Sequence, residues 1–321
     1  MKSLSFVFLG ENGCRLDVAL THELTFLTRS KVSSLAVKVL VNGKNAKMSC
    51  KLKKKDRVDY EWKELPEISV APCDLNLNVV YEDENVIVIN KEQNMVTHPS
   101  PSSPNGTLLN ALNYYRLYKS KWKDEFSFIC LSPKACNKML PKNQGDIFRL
   151  GIVHRLDKDT SGIILTARNL KTQIFLKNEF KRHRVRKFYV ALLEGIPKEE
   201  RSTIRTSIFR SKKDGRRFVA SSNLEKGRHA VSRYKVLKRF GNVSLVVFRI
   251  YTGRTHQIRV HAKYIGCPVL GDGFYGKSLS GLSLFLHSYK LEVNICFGTH
   301  KVFKAPLPNR FKKMIRLLKN E

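Results

Sequence analysis

The chain predicts an α+β protein in two parts. A small module over residues 1–63 mixes helix and strand, and a larger domain over 79–321 carries a mixed, mostly antiparallel β-sheet flanked by helices. Three observations lead there. Apolar residues alternate with period two in many short runs, while long runs of helical spacing are few. The stretch 64–78, with Glu64-Leu65-Pro66 and Ala71-Pro72-Cys73, breaks both patterns and reads as a linker. The length of 321 residues suits about two domains, and no internal repeat or low-complexity tract disturbs that division.

The elements follow in order. The short apolar tract in residues 1–10 stops at Glu11-Asn12-Gly13 without a small-residue cleavage pattern, so it predicts an edge strand and not a signal peptide. Residues 26–36 have the spacing of a short helix with a basic polar face. Val39-Leu40-Val41 then runs into Asn42-Gly43, the strongest two-residue hairpin signal in the chain. Residues 51–62 read as a further basic strand. Beyond the linker, 79–91 predicts strand, turn, strand. Residues 118–146 are irregular and lysine-rich, which predicts an extended loop or insertion.

A strand over 151–153 is expected to enter the polar segment His154-Arg155-Leu156-Asp157-Lys158-Asp159, and Thr160-Ser161-Gly162 returns it to a second strand through Ile163-Ile164-Leu165. Helical spacing over 174–180 and strand alternation over 187–193 and 244–251 complete the pattern. Near residue 253 a glycine turn precedes Thr255, a good helix N-cap residue. Ile258, Ala262 and Ile265 share an apolar helical face, Arg259 lies off it, and Gly266 and Pro268 stop the helix.

Composition narrows the function. Lysine and arginine total 59 against 27 acidic residues, a formal net charge of +32, which draws the chain to a polyanion and most simply to nucleic acid. The excess is clustered, at 51–55, 181–187 and 210–217, with Phe188, Tyr189 and Phe218 nearby. No apolar run approaches the roughly 20 residues of a membrane span. The seven cysteines are scattered and form no C-x-x-C pair, so neither a zinc ribbon nor a disulfide framework is expected; a reduced, cytoplasmic compartment is.

Asp157 is the candidate reactive group, a carboxylate beside Arg155 on a short loop clamped by strands. Taken alone it reads more simply as a surface ion pair that helps the turn. His256 and His261 lack a third ligand at suitable spacing, so hydrogen-bonding or packing roles are expected and no metal.

His154-Arg155-Leu156-Asp157 with Thr160-Ser161-Gly162, and Gly253-Arg254-Thr255-His256-Gln257-Ile258-Arg259-Val260-His261, resemble two sequence motifs of the RluA-type pseudouridine synthases. Tyr81-Glu82-Asp83 through Asn90-Lys91 and His98-Pro99 resemble a third, with Glu92 where the family usually has proline. Lys187-Phe188-Tyr189-Val190-Ala191, Val269-Leu270-Gly271-Asp272 with Tyr275-Gly276, Leu286-His287 and Lys304-Ala305-Pro306-Leu307-Pro308 extend the likeness over about 79–308. Residues 1–63 resemble an S4-type RNA-binding domain through Arg15-Leu16-Asp17, Arg29-Ser30, Val41-Asn42-Gly43-Lys44 and Asp56, without the glycine that usually ends its second helix.

The resemblance implies an RNA pseudouridine synthase, acting on large-subunit ribosomal RNA, with no metal or organic cofactor; a monomer is expected. It implies that Asp157 is the catalytic carboxylate and that Arg259 pairs with it to hold it ionised and oriented. Tyr189 would stack on the uracil, and Arg155 would fill the space left when the uridine is flipped out. His154 and Thr160 would shape the loop. Arg155, Arg29, Lys44, Lys187 and Arg254 form the expected RNA-binding set. The alternatives are a catalytically silent RNA-binding or ribosome assembly factor, a translational regulator, and a synthase for transfer RNA.

Overall fold

The computed structural model describes residues 1–24, 27, 29–63, 71–100, 103–122, 124–127, 150–276, 281–296 and 298–320. They fall into two compact units, one within Met1–Ser69 and the other within Val70–Cys130 and Gly151–Glu321. Ala71 and Cys73, from the expected linker, are hydrogen-bonded to Asn110 of the larger unit.

In the small unit β1 (Lys2–Val7), β6 (Arg57–Trp62), β3 (Ala36–Val41) and β4 (Lys44–Asn45) lie side by side in that order, and β2 (Cys14–Arg15) pairs with β5 (Lys51–Leu52). β1 is an edge strand, as expected. Asn42 (φ 51°) and Gly43 (φ 78°) make the β3–β4 turn, the consecutive positive φ angles that an Asn-Gly hairpin needs. Helices α1 (Leu16–Glu23) and α2 (Arg29–Leu35) cover the sheet's apolar side chains, with Leu16, Leu20, Val32, Leu52, Val58 and Tyr60 fully buried.

Two expectations change here. The strand expected over 51–62 is two strands in two sheets. The break is a turn in which Lys55 takes φ 74° and Asp56 accepts the Lys53 N–H at 2.7 Å. The helix expected over 26–36 is shorter because Ala36 already pairs with Trp62 in the sheet; Phe26 and Thr28 lie outside the described residues.

The larger unit holds a ten-stranded sheet. Its path runs β12 (Phe218–Ser221), β11 (Arg201–Arg210), β13 (Arg228–Phe240), β14 (Val243–Ile250), β10 (Arg186–Glu194), β15 (Leu286–Ile295), β9 (Ser161–Ala167), β8 (Val86–Lys91), β7 (Val79–Glu82), and β16 (Thr299–Lys304) pairs with β15. All pairings are antiparallel except β9 with β15, matched through His287–Ser161 and Ser288–Gly162. Gly162 makes that crossing possible: at φ 114°, a Cβ would lie 2.2 Å from the Ser288 carbonyl oxygen.

Helices α3 (Leu108–Tyr114), α4 (Leu170–Lys181), α5 (Gln257–Tyr264) and α6 (Asn309–Asn320) accompany the sheet, so the α+β reading holds. Val88, Ile163, Leu165, Leu176, Leu291 and Val293 form one core cluster. Each such buried side chain contributes roughly 1.5–3 kcal/mol. Phe311 of α6 anchors another against Val190, Leu192, Leu270 and Phe285. The strand expected over 151–153 is a single bridge, Ile152 to Thr166, because Gly151 sits at φ 83° against the Ala167 carbonyl.

Of the expected insertion over 118–146, the first residues continue α3 as a turn of π-helix (Tyr115–Lys119), and Asp124 is tied by a buried ion pair to Arg116 at 2.8 Å. Residues 123 and 128–146 lie outside the described residues. Among the described residues no helix is long and apolar enough to cross a membrane.

Candidate active site

Asp157 sits on the loop between the Ile152 bridge and β9. Four contacts from different parts of the sequence fix that loop. The Thr160 N–H donates to the Asp157 carbonyl at 3.1 Å, and the Thr97 hydroxyl donates to the Leu156 carbonyl at 3.0 Å. The buried Lys91 ammonium donates to the Lys158 carbonyl at 3.1 Å, and burial pushes its pKa down to about 8. His154 Nε2 accepts the Leu165 N–H at 2.9 Å while its ring stacks on Phe180. Burial, with the nearby charge of Lys187, pushes His154 down to about 3, so it is a neutral acceptor. His154 and Thr160 thus shape the loop, as the sequence suggested.

The loop closes one side of a cavity of about 110 Å³. Arg155 and Asp157 line it together with Tyr189, Ile250, Leu286 and residues from 253 to 259, including Arg254 and Arg259. Tyr189 comes from the middle of β10, and burial raises its phenol above the usual range, so it keeps its proton at neutral pH. Segment 253–259 is held by the buried Gln257 amide. Its oxygen accepts from the Thr252 hydroxyl at 2.7 Å and the Arg254 N–H at 3.0 Å, and its nitrogen donates to the Val231 carbonyl at 3.0 Å and Ser232 at 2.9 Å. These bonds replace the expected Thr255 cap. Helix α5 begins one residue later than that cap implies, behind His256, whose backbone is left-handed at φ 55°. Gly266 (φ 80°) follows the helix end, as expected.

Arg259 does not pair with Asp157. Its Nε and a terminal nitrogen each donate to an Asp272 carboxylate oxygen at 2.7 Å, and both side chains are buried. The pairing is local, between α5 and the loop that follows it, and it uses two donors in one plane. The side chain that faces Asp157 is the His256 imidazole, with Nε2 4.0 Å from Oδ2. His261 serves as a hydrogen-bonding core residue, 2.9 Å from both Thr206 and Ser232.

The remaining expected RNA contacts are placed differently. Lys187 is buried beside Gly253 and Arg254, not on the surface. Arg254 donates to the His229 carbonyl at 2.9 Å. Arg29 and Lys44 belong to the small unit and are exposed; Arg29 shares the Asp17 carboxylate with Arg15, each at 2.9 Å.

A family model described as RNA pseudouridylate synthase matches residues 85–264. The ribosomal large subunit pseudouridine synthase D of Borreliella burgdorferi is 36% identical over 311 residues, covering 94% of this chain and 88% of that one. The chain belongs to the RNA pseudouridylate synthase family. The synthase is also 36% identical over 308 residues to an uncharacterized RNA pseudouridine synthase of Aquifex aeolicus, with 94% and 89% coverage. It shares its fold with human RNA pseudouridylate synthase domain containing 1, at a TM-score of 0.55 and 23% identity over 81% of this chain and 98% of that one. As a member of this family the synthase is an isomerase.

Three residues of the site escaped the sequence reading of roles. Asp272 was visible as the end of Val269-Leu270-Gly271-Asp272, a glycine-aspartate turn beyond a helix carrying an arginine, and that pairing was the available signal. Lys91 stands in the sequence only as the end of the motif Asn90-Lys91, with no role of its own. His256 carries an expected hydrogen-bonding or packing role, and nothing local marks it as the neighbour of Asp157.

Proposed function

We propose that the synthase isomerises specific uridines of folded RNA, with large-subunit ribosomal RNA as its substrate, and that Asp157 is the catalytic carboxylate. The observation that carries this reading is one cavity lined by Asp157, the Tyr189 phenol and the guanidinium-bearing residues Arg155, Arg254 and Arg259. In the reaction the N1–C1′ bond breaks, the uracil turns, and a C5–C1′ bond forms; the C5 proton leaves and N1 takes up a proton. A carboxylate within reach of the sugar can act as nucleophile or stabilise the developing ribosyl cation. The same atoms appear before and after, so the conversion needs no net oxidant or reductant. Tyr189 offers a ring and a protonated hydroxyl to the uracil, and Arg155 occupies the gap left by the flipped base.

The ribosomal substrate is supported by the name of the Borreliella burgdorferi relative. The small unit is read as an S4-like RNA grip. Arg15, Arg29 and Lys44 are exposed there, and the first two are oriented by Asp17, whose carboxyl they lower to about 2. The enzyme works as a cytoplasmic monomer.

Pseudouridine mapping of total RNA from cells lacking the gene, complemented with wild type or Asp157→Asn, tests the reading. Large-subunit positions should lose the modification and regain it with wild type only, while purified Asp157→Asn still binds RNA. Restoration by Asp157→Asn would remove Asp157 from catalysis. No change in any ribosomal or transfer RNA would leave a binding protein.

A further inference from the structure

We infer that Tyr275 locks His256 in its Nε2–H tautomer, and that His256 then steers the Asp157 carboxylate as a positioning residue. The second half of this inference rests on the reading of Asp157 as the catalytic group.

His256 is held unusually firmly. Its backbone lies in the left-handed region at φ 55°, a conformation that a residue without glycine's freedom keeps only when its surroundings impose it. The surroundings are aromatic. Phe218 and Tyr275 meet the imidazole edge-on at centroid distances of 5.7 and 5.6 Å, and Phe274 lies at 6.1 Å. Nδ1 is 2.8 Å from the Tyr275 hydroxyl.

That hydroxyl has one proton to give. It already accepts the Phe218 N–H at 3.0 Å, which makes Nδ1, 2.8 Å away, the acceptor we assign to its proton. Burial raises Tyr275 and lowers His256, which keeps both partners neutral. A neutral imidazole that accepts at Nδ1 carries its own proton on Nε2. This is the nitrogen that faces Asp157 Oδ2 at 4.0 Å.

At 4.0 Å the contact is not yet a hydrogen bond. Free active sites often hold such pairs long and tighten them when substrate arrives. With Arg259 committed to Asp272, His256 is the donor placed to fix the rotation of the Asp157 carboxylate and leave its other oxygen for the nucleotide. Tyr275 also packs under Arg259 at 5.2 Å, so the Arg259–Asp272 pair supports the same assembly.

Long-range proton–nitrogen correlation spectra of the full chain with labelled histidine read the tautomer directly. The expected pattern for His256 is a bare Nδ1 and a protonated Nε2, with a mixture in Tyr275→Phe; a protonated Nδ1 in wild type would overturn the inference. Single-turnover kinetics test the steering. His256→Asn tolerates the left-handed backbone and can keep the bond to Tyr275, but it has no donor at the Nε2 position. It should lose roughly 10- to 100-fold in the chemical step. Its RNA affinity should hold, and His256→Gln, which loses the same ring packing but restores a donor at that reach, should recover part of the rate. A His256→Asn enzyme as fast as wild type would remove the positioning role. Full activity in Asp157→Asn would overturn the underlying reading instead, whatever the tautomer.

Discussion

Arg259 and Asp272 form a buried two-bond pair, with both bonds at 2.7 Å and the Asp272 carboxylate fully enclosed. The same carboxylate oxygen that meets the arginine's terminal nitrogen also accepts the backbone N–H groups of Phe274 at 3.0 Å and Tyr275 at 3.2 Å. The pair therefore joins helix α5 to the turn that carries Tyr275, and through Tyr275 to His256 and Asp157. A guanidinium expected to orient the catalytic carboxylate directly is, in this molecule, a brace one step behind it.

Replacing Asp272 by Asn keeps the shape and removes the charge. Breaking one side of a buried ion pair leaves the other uncompensated and costs about 3–5 kcal/mol. Asp272→Asn is expected to unfold at a clearly lower urea concentration and to lose activity, although Asp272 does not line the cavity. Urea titration followed by tyrosine and tryptophan fluorescence measures it. A variant as stable as wild type would show that the pair does not brace the site.

Lys187 is a second charged group that the fold hides. Burial first, and the neighbouring Arg254 second, push its pKa from 10.5 down to about 8. Between those two values the unfolded chain holds a proton that the folded one has released, so this site's contribution to the unfolding free energy rises with pH across that window. Below about 8 the burial penalty is present in full. Lys187→Met should therefore be more stable than wild type near pH 7, by on the order of 3 kcal/mol, and the advantage should shrink as pH rises toward 10.5. Melts at several pH values are sufficient, and a difference independent of pH would count against the buried charge.

The sequence was informative where structure is decided locally. Asn42-Gly43 announces its hairpin because two adjacent residues supply both positive φ angles, and the run after Gly162 announces β9 because an apolar strand buried on both faces needs no partner to be recognised. It was silent where an ordinary residue takes an unusual conformation. Lys55 turns the chain at φ 74° with neither glycine nor proline at that position, so one strand was expected where two exist. His256 does the same and displaces the helix cap from Thr255. The residues of the cavity were legible as separate motifs, and the likeness to a family joined them. The glycine-aspartate turn marked Asp272 as one partner for Arg259, but Asp157 lies in the motifs too, and only the tertiary fold decides between them.

Lys91 gives the last test, and it concerns the loop itself. Its ammonium, almost wholly buried at the end of β8, donates to the carbonyls of Glu92 at 2.7 Å, Met95 at 2.9 Å and Lys158 at 3.1 Å. An ammonium has three protons, and all three are used. The third ties the residue next to Asp157 to the turn after β8, where Glu92 replaces the proline usual in the family; a carbonyl serves this purpose whatever its side chain. Lys91→Met keeps the buried stem and leaves three carbonyls without their donor, at about 1–3 kcal/mol for each group that water cannot reach. The loop should then loosen before the domain unfolds. Amide exchange at Thr160, whose N–H bonds the Asp157 carbonyl, should accelerate by more than that of the core strands, and the chemical step should slow while RNA affinity holds. Exchange at Thr160 as slow as in wild type would mean that Thr97 and His154 hold the loop without Lys91.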